Sequence, residues 1–370
     1  MRILFDDEIF FRQRFGGVSR IFTKLIQGIE QNPQYQLLFN CNYSENEYLL
    51  QLKPNINSFL KPYQFPLKGK LIRGIYGRYS HQKTINAINK KTADVFHPTF
   101  YADYYLQALT RANMPLVFTV HDLIHEQTPN NAHYAQMAKM KADNIKIAKQ
   151  IIVVSAHTKK DLLRIYPFVN PEQVNIIPLA QSLPKQGIKP KNLPDNYILF
   201  TGERGGYKNF ISLLHAFALL SNNHPNLHLY CAGSASFNND ELALAQELNV
   251  NTMLHHAKLS DDELRYVYQH AKLFVFPSAY EGFGIPMLEA FSAETPVVAH
   301  HATSLPEVGG DAAFYVDATD IQKLTKAINE VLINTKLRLE LVEKGKIREQ
   351  QFTWQNHINL TLQVYQKAVK

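Results

Sequence analysis

Two carboxylates stand a short distance apart in residues 277–289, which read Pro-Ser-Ala-Tyr-Glu-Gly-Phe-Gly-Ile-Pro-Met-Leu-Glu. Glu281 lies on a turn with Gly282 and Gly284, and Glu289 lies about one turn into the helix that follows. A helix N-terminus carries unpaired N–H groups and partial positive charge, so this strand-turn-helix suits a phosphate. Carboxylates would repel the phosphate itself, so we interpret them as acceptors from hydroxyl groups attached to it. A nucleotide-sugar carries such hydroxyls on both sides of its diphosphate.

The elements on either side of this turn are predicted from simple patterns. The apolar run 273–276 predicts a buried parallel strand, and Pro286 suits the first position of a helix. A structural interpretation stays open, because Glu in a first helical turn complements the dipole and two glycines often serve only a tight turn. Function is therefore indicated by the whole stretch rather than by either carboxylate.

The complete stretch, Pro-Ser-x-x-Glu-Gly-Phe-Gly-x-Pro-x-Leu-Glu-Ala, resembles the donor-site signature of the retaining glycosyltransferases of family 4, which have the GT-B fold. The resemblance implies an α/β protein of two doubly wound Rossmann-like domains facing a cleft. It implies that Glu281 holds the transferred sugar in catalysis, that Glu289 binds the ribose, and that Gly282, Phe283 and Gly284 contact the donor. The resemblance also implies that the donor is a nucleotide-diphosphate sugar with GDP or UDP, a co-substrate rather than a bound cofactor.

Two basic residues, Arg204 and Lys208, follow the predicted strand 197–200 and precede a predicted helix. A guanidinium fork and a mobile ammonium can hold a diphosphate, although an ordinary basic loop has the same composition. The stretch 201–209 is similar to the family's Arg/Lys pair that contacts the leaving phosphates. The resemblance therefore implies that both cations stabilise the charge that develops on the diphosphate.

Four further candidates lie at predicted turns in the first half of the chain. Gly16 and Gly17 precede a predicted helix, where a ligand can approach the backbone closely, and a plain tight turn is the alternative. His121 follows the predicted strand 116–120; a lone His is often structural, but its surroundings resemble a family position beside the transferred sugar. Ser155 resembles a position close to the bound ligands and is equally suited to cap a helix. We expect His121 to be catalytic and the other three to bind the donor.

Two glutamates lie downstream of the signature. Glu307, in Ser-Leu-Pro-Glu, resembles a stretch that often follows the family's next strand, and we interpret it as a surface acid rather than part of the outer donor shell. Glu294 stands where the family usually has Gly, and Glu lacks the backbone freedom of Gly.

The alternation of short apolar runs with helical patterns predicts two doubly wound domains with a cleft between them. A chain of 370 residues is long enough for two domains of ordinary size, each with its own hydrophobic core. The predicted strands are 2–5, 36–39, 94–96, 116–120, 151–154 and 174–177 in the first domain, and 197–200, 227–231, 273–276 and 296–299 in the second. The predicted organisation is an acceptor-side domain 1–180, a proline-containing linker 181–196, a nucleotide-sugar-binding domain 197–355, and a C-terminal helix 356–370. The family resemblance implies that this last helix crosses back onto the first domain.

Positive charge is concentrated in one segment, residues 59–91. The chain carries 39 Lys and Arg against 32 Asp and Glu, a net charge of +7, and no acid lies between Lys61 and Lys91. Basic residues interleaved with Phe, Tyr, Ile and Leu can dock on an anionic membrane surface, or can form a solvated helix face. No nucleic-acid-binding signature accompanies the segment, so we expect no nucleic acid partner.

Several classes of protein are disfavoured. No stretch approaches the ~18 apolar residues of a membrane span, and acids from Asp6 onward interrupt any signal-peptide pattern. Cys41 and Cys231 fall in different predicted domains, which is typical of free thiols in a reducing compartment. We therefore expect a cytoplasmic protein, peripheral on the inner face of the membrane if the basic segment docks there. No Asp-x-Asp motif occurs at these turns, so we expect no essential metal ion.

The function that these observations favour is a retaining hexosyltransferase. It would move a hexose such as mannose from the nucleotide-sugar to a hydroxyl of a glycan or lipid-linked glycan, and the family resemblance implies front-face attack. Gly-Gly-Val-Ser-Arg and Gly-Tyr-Lys-Asn resemble bacterial surface-polysaccharide or lipopolysaccharide transferases, some of which use GDP-mannose. A GT-B epimerase, a sugar-phosphate synthase and a non-catalytic nucleotide-sugar-binding subunit are the alternatives. A nicotinamide dehydrogenase is disfavoured because the first turn lacks Gly-x-Gly-x-x-Gly.

Overall fold

A computed structural model of the chain describes residues 1–56, 66–128, 131–233 and 235–370, with the backbone alone for 66–73. The described residues form two compact units. The first contains Met1–Val154, Thr158–Leu179 and Trp354–Lys370, and the second contains Ser155–His157 and Ala180–Thr353. The last helix therefore groups with the N-terminal part of the chain.

The strands of both units are short and apolar, which suits parallel sheets buried on both faces. They are β1 (Arg2–Phe5), β2 (Gln36–Phe39), β3 (Val95–His97), β4 (Val117–Val120), β5 (Gln150–Val153), β6 (Val174–Ile176), β7 (Tyr197–Thr201), β8 (His228–Ala232), β9 (Leu254–Ala257), β10 (Leu273–Phe276), β11 (Val297–His300) and β12 (Phe314–Val316). The helices are α1 (Glu8–Arg12), α2 (Gly17–Glu30), α3 (Glu47–Leu52), α4 (Pro66–Asn89), α5 (Leu106–Ala112), α6 (Ile124–Gln127), α7 (Ala132–Ile147), α8 (Ala156–Ile165), α9 (Phe210–Ser221), α10 (Asn239–Glu247), α11 (Asp261–His270), α12 (Ile285–Ser292), α13 (Leu305–Gly309), α14 (Ile321–Ile333), α15 (Thr335–Glu349) and α16 (Trp354–Val369).

The first unit is built on parallel strands in the order β2-β1-β3 and β4-β5-β6. The two groups are joined by a parallel bridge between Phe96 and Leu116. Helix α16 packs against β5 and α2. A Cβ on Gly28 of α2 would lie 2.4 Å from Cδ1 of Ile358, so glycine allows these two helices to approach closely.

The second unit is built on a parallel sheet with the strand order β12-β11-β10-β7-β8-β9. Its central strands are fully buried, and helices α9 and α14 supply much of the core that packs against them. The edge strands β9 and β12 were not predicted from the sequence. Both are only half-buried. His255 and His256 interrupt the apolar pattern of β9, and β12 is an apolar run of only three residues. The α/β doubly wound architecture itself is confirmed.

Residues 181–196, all of which the structure describes, contain no helix or strand. They pack on the second unit: the N–H of Ile188 donates to the carbonyl of Asp262 over 3.0 Å. Gly187 lies so close to Tyr266 that a Cβ would be 2.4 Å from its backbone nitrogen. This segment is therefore anchored along α11.

The basic segment 59–91 lies partly outside the described residues, because 57–65 are not among them. Its described part is mostly helix α4. Among the described helices, none is both long enough and apolar enough to cross a membrane.

Candidate active site

The second sheet reverses its direction of growth between β7 and β10. From β7 the order runs through β8 to β9, and from β10 it runs through β11 to β12. Ligands of open α/β sheets bind outside the carboxyl ends of the strands at such a switch point. The turns that follow these two strands carry Lys208 and Glu281, and the N–H of Ala279 donates to the carbonyl of Tyr207 over 2.7 Å. The topology therefore brings the two predicted donor-site stretches together.

The turn that leads into α12 depends on glycine. Gly284 has φ +112°, a conformation that other residues rarely adopt, and a Cβ there would lie 2.9 Å from Cδ2 of Leu305. Pro286 is the second residue of α12, where the absence of an N–H costs nothing.

Three hydroxyl side chains hold the backbone of residues 281–283. Ser304 Oγ lies 2.9 Å from the carbonyls of both Glu281 and Phe283. Ser155 Oγ donates to the carbonyl of Gly282 over 2.7 Å, and the N–H of Glu281 donates to Thr303 Oγ1 over 3.1 Å. The backbone that carries Glu281 is therefore fixed by contacts far apart in sequence. Thr303 itself has φ +53°, a strained value for a β-branched residue.

Lys208 and Glu281 form an ion pair at this switch point. Nζ lies 2.6 Å from Oε1, and the two side chains are 18% and 15% exposed. Burial alone would lower the pKa of Lys208, but the Glu281 carboxylate, together with Tyr207 and Glu203, holds that pKa above its ordinary value. The ammonium therefore stays charged at neutral pH, and the pair places a cation and a hydrogen-bond acceptor at one point.

Glu289 lies beneath the end of β7. It is buried, and the hydroxyl of Tyr268 donates to its Oε2 over 3.2 Å. The same hydroxyl lies 3.2 Å from Oγ1 of Thr201, the last residue of β7. Tyr268 therefore positions this carboxylate. This role was not predicted from the sequence, where Tyr268 fits the apolar face of a helix and nothing marks it as a site residue.

Arg204 does not join Lys208 and Glu281. Its Nε and Nη2 lie 3.0 and 3.2 Å from the two carboxylate oxygens of Glu241, and its guanidinium also donates to the carbonyls of Ala235 and Ser236. The side chain is buried, and the guanidinium lies 4.7 Å from the ring centroid of Phe237. Arg204 thus ties the turn after β7 to the segment before α10, and the assigned phosphate contact stays a prediction.

Glu307 is exposed but is more than a surface acid. Its two carboxylate oxygens accept from the N–H groups of Ala156 and His157, over 2.7 and 3.0 Å. A carboxylate at the start of a helix is stabilised by the free N–H groups and the dipole. With Ser155 on Gly282, these contacts tie Ser155–His157 to the turns of the second unit. The hydroxyl of Ser155 is therefore directed to the Gly282 carbonyl.

Glu294 has φ +60°, so the turn keeps the left-handed conformation for which glycine is usual. Its carboxylate pairs with Lys346 over 2.9 Å. The substitution therefore preserves this turn at the cost of some local strain.

Gly16 and Gly17 lie at the beginning of α2 in the first unit. Helix α2 starts at Gly17, four residues before the helix predicted from the sequence. Gly16 is extended, and a Cβ there would meet the side chain of Gln13, whereas a Cβ on Gly17 would meet no atom within 4 Å. The N-terminus of α2 is therefore open at Gly17.

His121 directly follows β4 and is half-buried. Its backbone N–H donates to the hydroxyl of Tyr101 over 3.3 Å. Burial lowers the pKa of its imidazole to about 4. The ring is therefore neutral at pH 7 and can accept or donate a hydrogen bond without carrying charge.

Two buried carboxylates after β1 were not predicted as site residues. Asp6 accepts from the N–H and hydroxyl of Thr99 and from the hydroxyl of Tyr104, and Asp7 accepts from Ser80 over 2.5 Å. Burial raises the pKa of Asp6 to about 6 and that of Asp7 to about 7. The signal that could have found them is their place directly after a buried strand. Among the described residues, no group of His, Cys, Asp or Glu has the arrangement of a metal site.

Of the predicted site residues, the second unit contains Ser155, Arg204, Lys208, Glu281, Gly282, Phe283, Gly284 and Glu289, and the first contains Gly16, Gly17 and His121. Two doubly wound units, with a cation and a carboxylate at the switch point of the second, define a protein of the GT-B class. Residues 15–180 match the family described as Glycosyltransferase Family 4, and residues 184–348 match Glycosyl transferases group 1.

Relatives and a solved structure agree with these matches. O-antigen chain mannosyltransferase B of Escherichia coli is 28% identical over 73% of this chain and 74% of its own. The MMP alpha-(1->4)-mannosyltransferase of Mycolicibacterium hassiacum is 27% identical over 75% and 71%. The structure of HepE from Anabaena in complex with UDP and glucose covers 98% of both chains with a TM-score of 0.72 and 16% identity. The chain belongs to the family 4 type of GT-B glycosyltransferases.

Proposed function

We propose that this glycosyltransferase moves mannose from a nucleotide-diphosphate donor, with GDP-mannose as the first candidate, to a hydroxyl of a surface glycan or its lipid-linked precursor. The observation that carries the proposal is the Lys208–Glu281 pair at the switch point of the second sheet. Support for the sugar comes from relatives that are named mannosyltransferases. UDP is the alternative nucleotide, since HepE is described with UDP and glucose.

In the proposed reaction, the acceptor oxygen forms a bond to the anomeric carbon while the bond from that carbon to the diphosphate oxygen breaks. The departing diphosphate takes the acceptor proton, so both events occur on one face and the configuration is retained. Lys208 neutralises the charge that develops on the diphosphate, which lowers the barrier. Glu281 accepts hydrogen bonds from hydroxyls of the sugar, and Glu289 accepts them from the ribose.

Arg204 takes a supporting role in this proposal. Because Glu241 neutralises its guanidinium, it adds little net charge toward a diphosphate. It instead holds the segment Ala235–Glu241 against the turn that carries Lys208. Transfer is expected to need no divalent ion.

The test is to incubate the purified chain with GDP-mannose, UDP-glucose and UDP-N-acetylglucosamine, with and without glycan acceptors. Released nucleotide and the anomeric configuration of the product are then measured, and one set contains a chelator. Glu281→Gln is the matched inactive variant. A product of retained configuration from one donor supports the proposal. Absence of binding to every nucleotide-sugar by calorimetry would refute it, and an epimer or a sugar phosphate as product would select the alternative enzymes.

The described part of the basic segment supports a second element of the proposal, docking on an anionic membrane surface. Ile75 and Tyr79 of α4 are 61% and 51% exposed, and the ammonium of Lys83 lies 4.7 Å from the Tyr79 ring centroid. Exposed apolar side chains beside basic ones are typical of interfacial helices. Docking of this kind would hold the enzyme at the inner face of a membrane, close to lipid-linked acceptors.

Sedimentation with vesicles of phosphatidylglycerol and phosphatidylcholine tests this element. We expect binding that weakens with salt and is lost in Ile75→Ala/Tyr79→Ala. Ile347→Ala is the control, since Ile347 is 65% exposed in the second unit. Equal binding to neutral vesicles, or equal loss in the control, would contradict membrane docking through α4.

A further inference from the structure

Three histidines line one small cavity in the first unit. They are His97 at the end of β3, His121 after β4 and His357 on α16. The cavity has a volume of about 10 Å³, close to the ~10–15 Å³ that a single water needs. Among its lining residues, only His121 is more than slightly exposed. The cavity is therefore a water-sized space beside the predicted catalytic histidine.

His97 already uses both of its ring nitrogens. Nδ1 lies 2.7 Å from the hydroxyl of Tyr365, and Nε2 lies 2.8 Å from Oγ1 of Thr119. Burial lowers its pKa to about 3, so the ring is neutral. His97 therefore forms part of the wall and has no ring nitrogen left for a further partner.

His357 has a tautomer that its contacts determine. Its Nδ1 lies 2.9 Å from the carbonyl oxygen of Pro178, and a carbonyl only accepts hydrogen bonds. Burial lowers the pKa of His357 to about 4, so only one nitrogen is protonated at pH 7. The proton is therefore on Nδ1, and Nε2 carries a lone pair.

His121 has a ring nitrogen that needs a hydrogen-bond partner. In the described part of the chain its Nδ1 is buried and has no hydrogen-bond partner. A buried polar atom left without a partner is costly, and an ordered water commonly supplies one. The hydroxyl of Thr361, another lining residue, donates to the carbonyl of His357 over 2.8 Å and keeps its own lone pairs as acceptors.

We propose that one water in this cavity accepts from Nδ1–H of His121 and donates to Nε2 of His357, with Thr361 Oγ1 as its second acceptor. His357 is then a positioning residue that acts through the water. It fixes His121 as the Nδ1–H tautomer and leaves Nε2 of His121 as an acceptor for a substrate hydroxyl. The identity of that hydroxyl rests on the proposed function, whereas the tautomer does not.

The test is the tautomer of His121 in ¹⁵N-histidine-labelled full-length protein at pH 7.5, read by long-range ¹H–¹⁵N NMR. His121→Gln assigns the signals. We expect a protonated nitrogen at Nδ1 and an unprotonated one at Nε2. In His357→Asn, the amide nitrogen still reaches the Pro178 carbonyl but the acceptor toward the cavity is lost, so we expect a mixture of tautomers. In His357→Gln, the amide oxygen restores an acceptor at the position of Nε2, and the tautomer should return.

His133→Asn, an exposed histidine of the same unit, is the control and should leave the His121 signals unchanged. Turnover is a second measurement: His357→Asn should lower kcat about three- to tenfold with little change in KM for the donor, and His357→Gln should recover most of it. A protonated Nε2 in the parent protein, or an unchanged tautomer in a folded His357→Asn, would overturn the proposal. The NMR experiment contains no sugar. It can therefore contradict the proposed water and tautomer without bearing on sugar transfer, and a failed transfer assay leaves the NMR result intact.

Discussion

Replacing Lys208 by methionine separates what its ammonium does for stability from what it does for catalysis. The replacement leaves the Glu281 carboxylate without the ammonium that lies 2.6 Å away. At that distance the attraction is about 6 kcal/mol for an effective dielectric constant of ~20, and most of it is offset by desolvation of both groups. Breaking an exposed pair costs about 0.2–1 kcal/mol, and breaking a buried pair about 3–5 kcal/mol. Side chains 18% and 15% exposed lie between these limits.

We therefore expect Lys208→Met to lower the free energy of unfolding by about 2 kcal/mol, measured by urea denaturation. Adding Glu281→Gln should restore most of that loss, because no unpaired carboxylate remains. Turnover should behave differently. The single variant should lose about 10²–10³ in kcat because the cation at the leaving group is gone, and the double variant should not recover it.

The control is Lys323→Met, which breaks an exposed pair with Asp320 on α14, where the side chains are 62% and 38% exposed. It should cost less than about 1 kcal/mol and leave turnover unchanged. Lys208 would not have the assigned role at the leaving group if Lys208→Met kept most of the parent activity, or if the double variant regained activity together with stability.

Three further predictions concern groups around the two sheets. Arg204→Met should cost about 3 kcal/mol in urea denaturation, because it leaves the buried Glu241 carboxylate unpaired; a loss below about 1 kcal/mol would contradict a structural role. The raised pKa of Asp7 means that the folded protein binds more protons than the unfolded one between about pH 4 and 7, so stability falls as pH rises through that window. The free energy of unfolding of Asp7→Asn, compared with that of the parent, should therefore rise by about 2 kcal/mol between pH 5 and pH 8. If the difference between the two proteins does not change with pH, the pKa of Asp7 is not raised in the folded protein. Glu307→Gln should lower stability by about 0.5–1 kcal/mol at low salt, because the charge at the helix N-terminus is lost; thermal unfolding checks this, and an unchanged midpoint would contradict it.

Most of the strands, and the position of the turns that carry Lys208 and Glu281, could be predicted from the sequence because their signals are local. Buried parallel strands appear as continuous apolar runs, and Lys208 and Glu281 each follow such a run, which places both at one edge of the sheet. Strand β9 was missed because this half-buried edge strand mixes His with apolar residues, whereas β12 is a half-buried edge strand of only three residues.

The supporting contacts of the site could not be predicted, because they join residues distant in sequence. Nothing local shows that Arg204 meets Glu241, which lies 37 residues further along, or that Ser155 reaches Gly282 across 127 residues. The burial that raises the pKa of Asp7 is likewise a tertiary effect, and so is the hydrogen bond from Ser80 on α4, which opposes that rise. Tertiary packing determines these contacts, so they need the structure.

The ion pair between Lys208 and Glu281 also bears on how the reaction would end. A phosphate that binds Lys208 must share the ammonium with, or compete for it against, a carboxylate that is attached to the same unit. After transfer, Glu281 competes with the spent nucleoside diphosphate for the ammonium at a high effective concentration. The site therefore carries its own displacing anion, which favours rapid product release and weak inhibition by the free nucleotide.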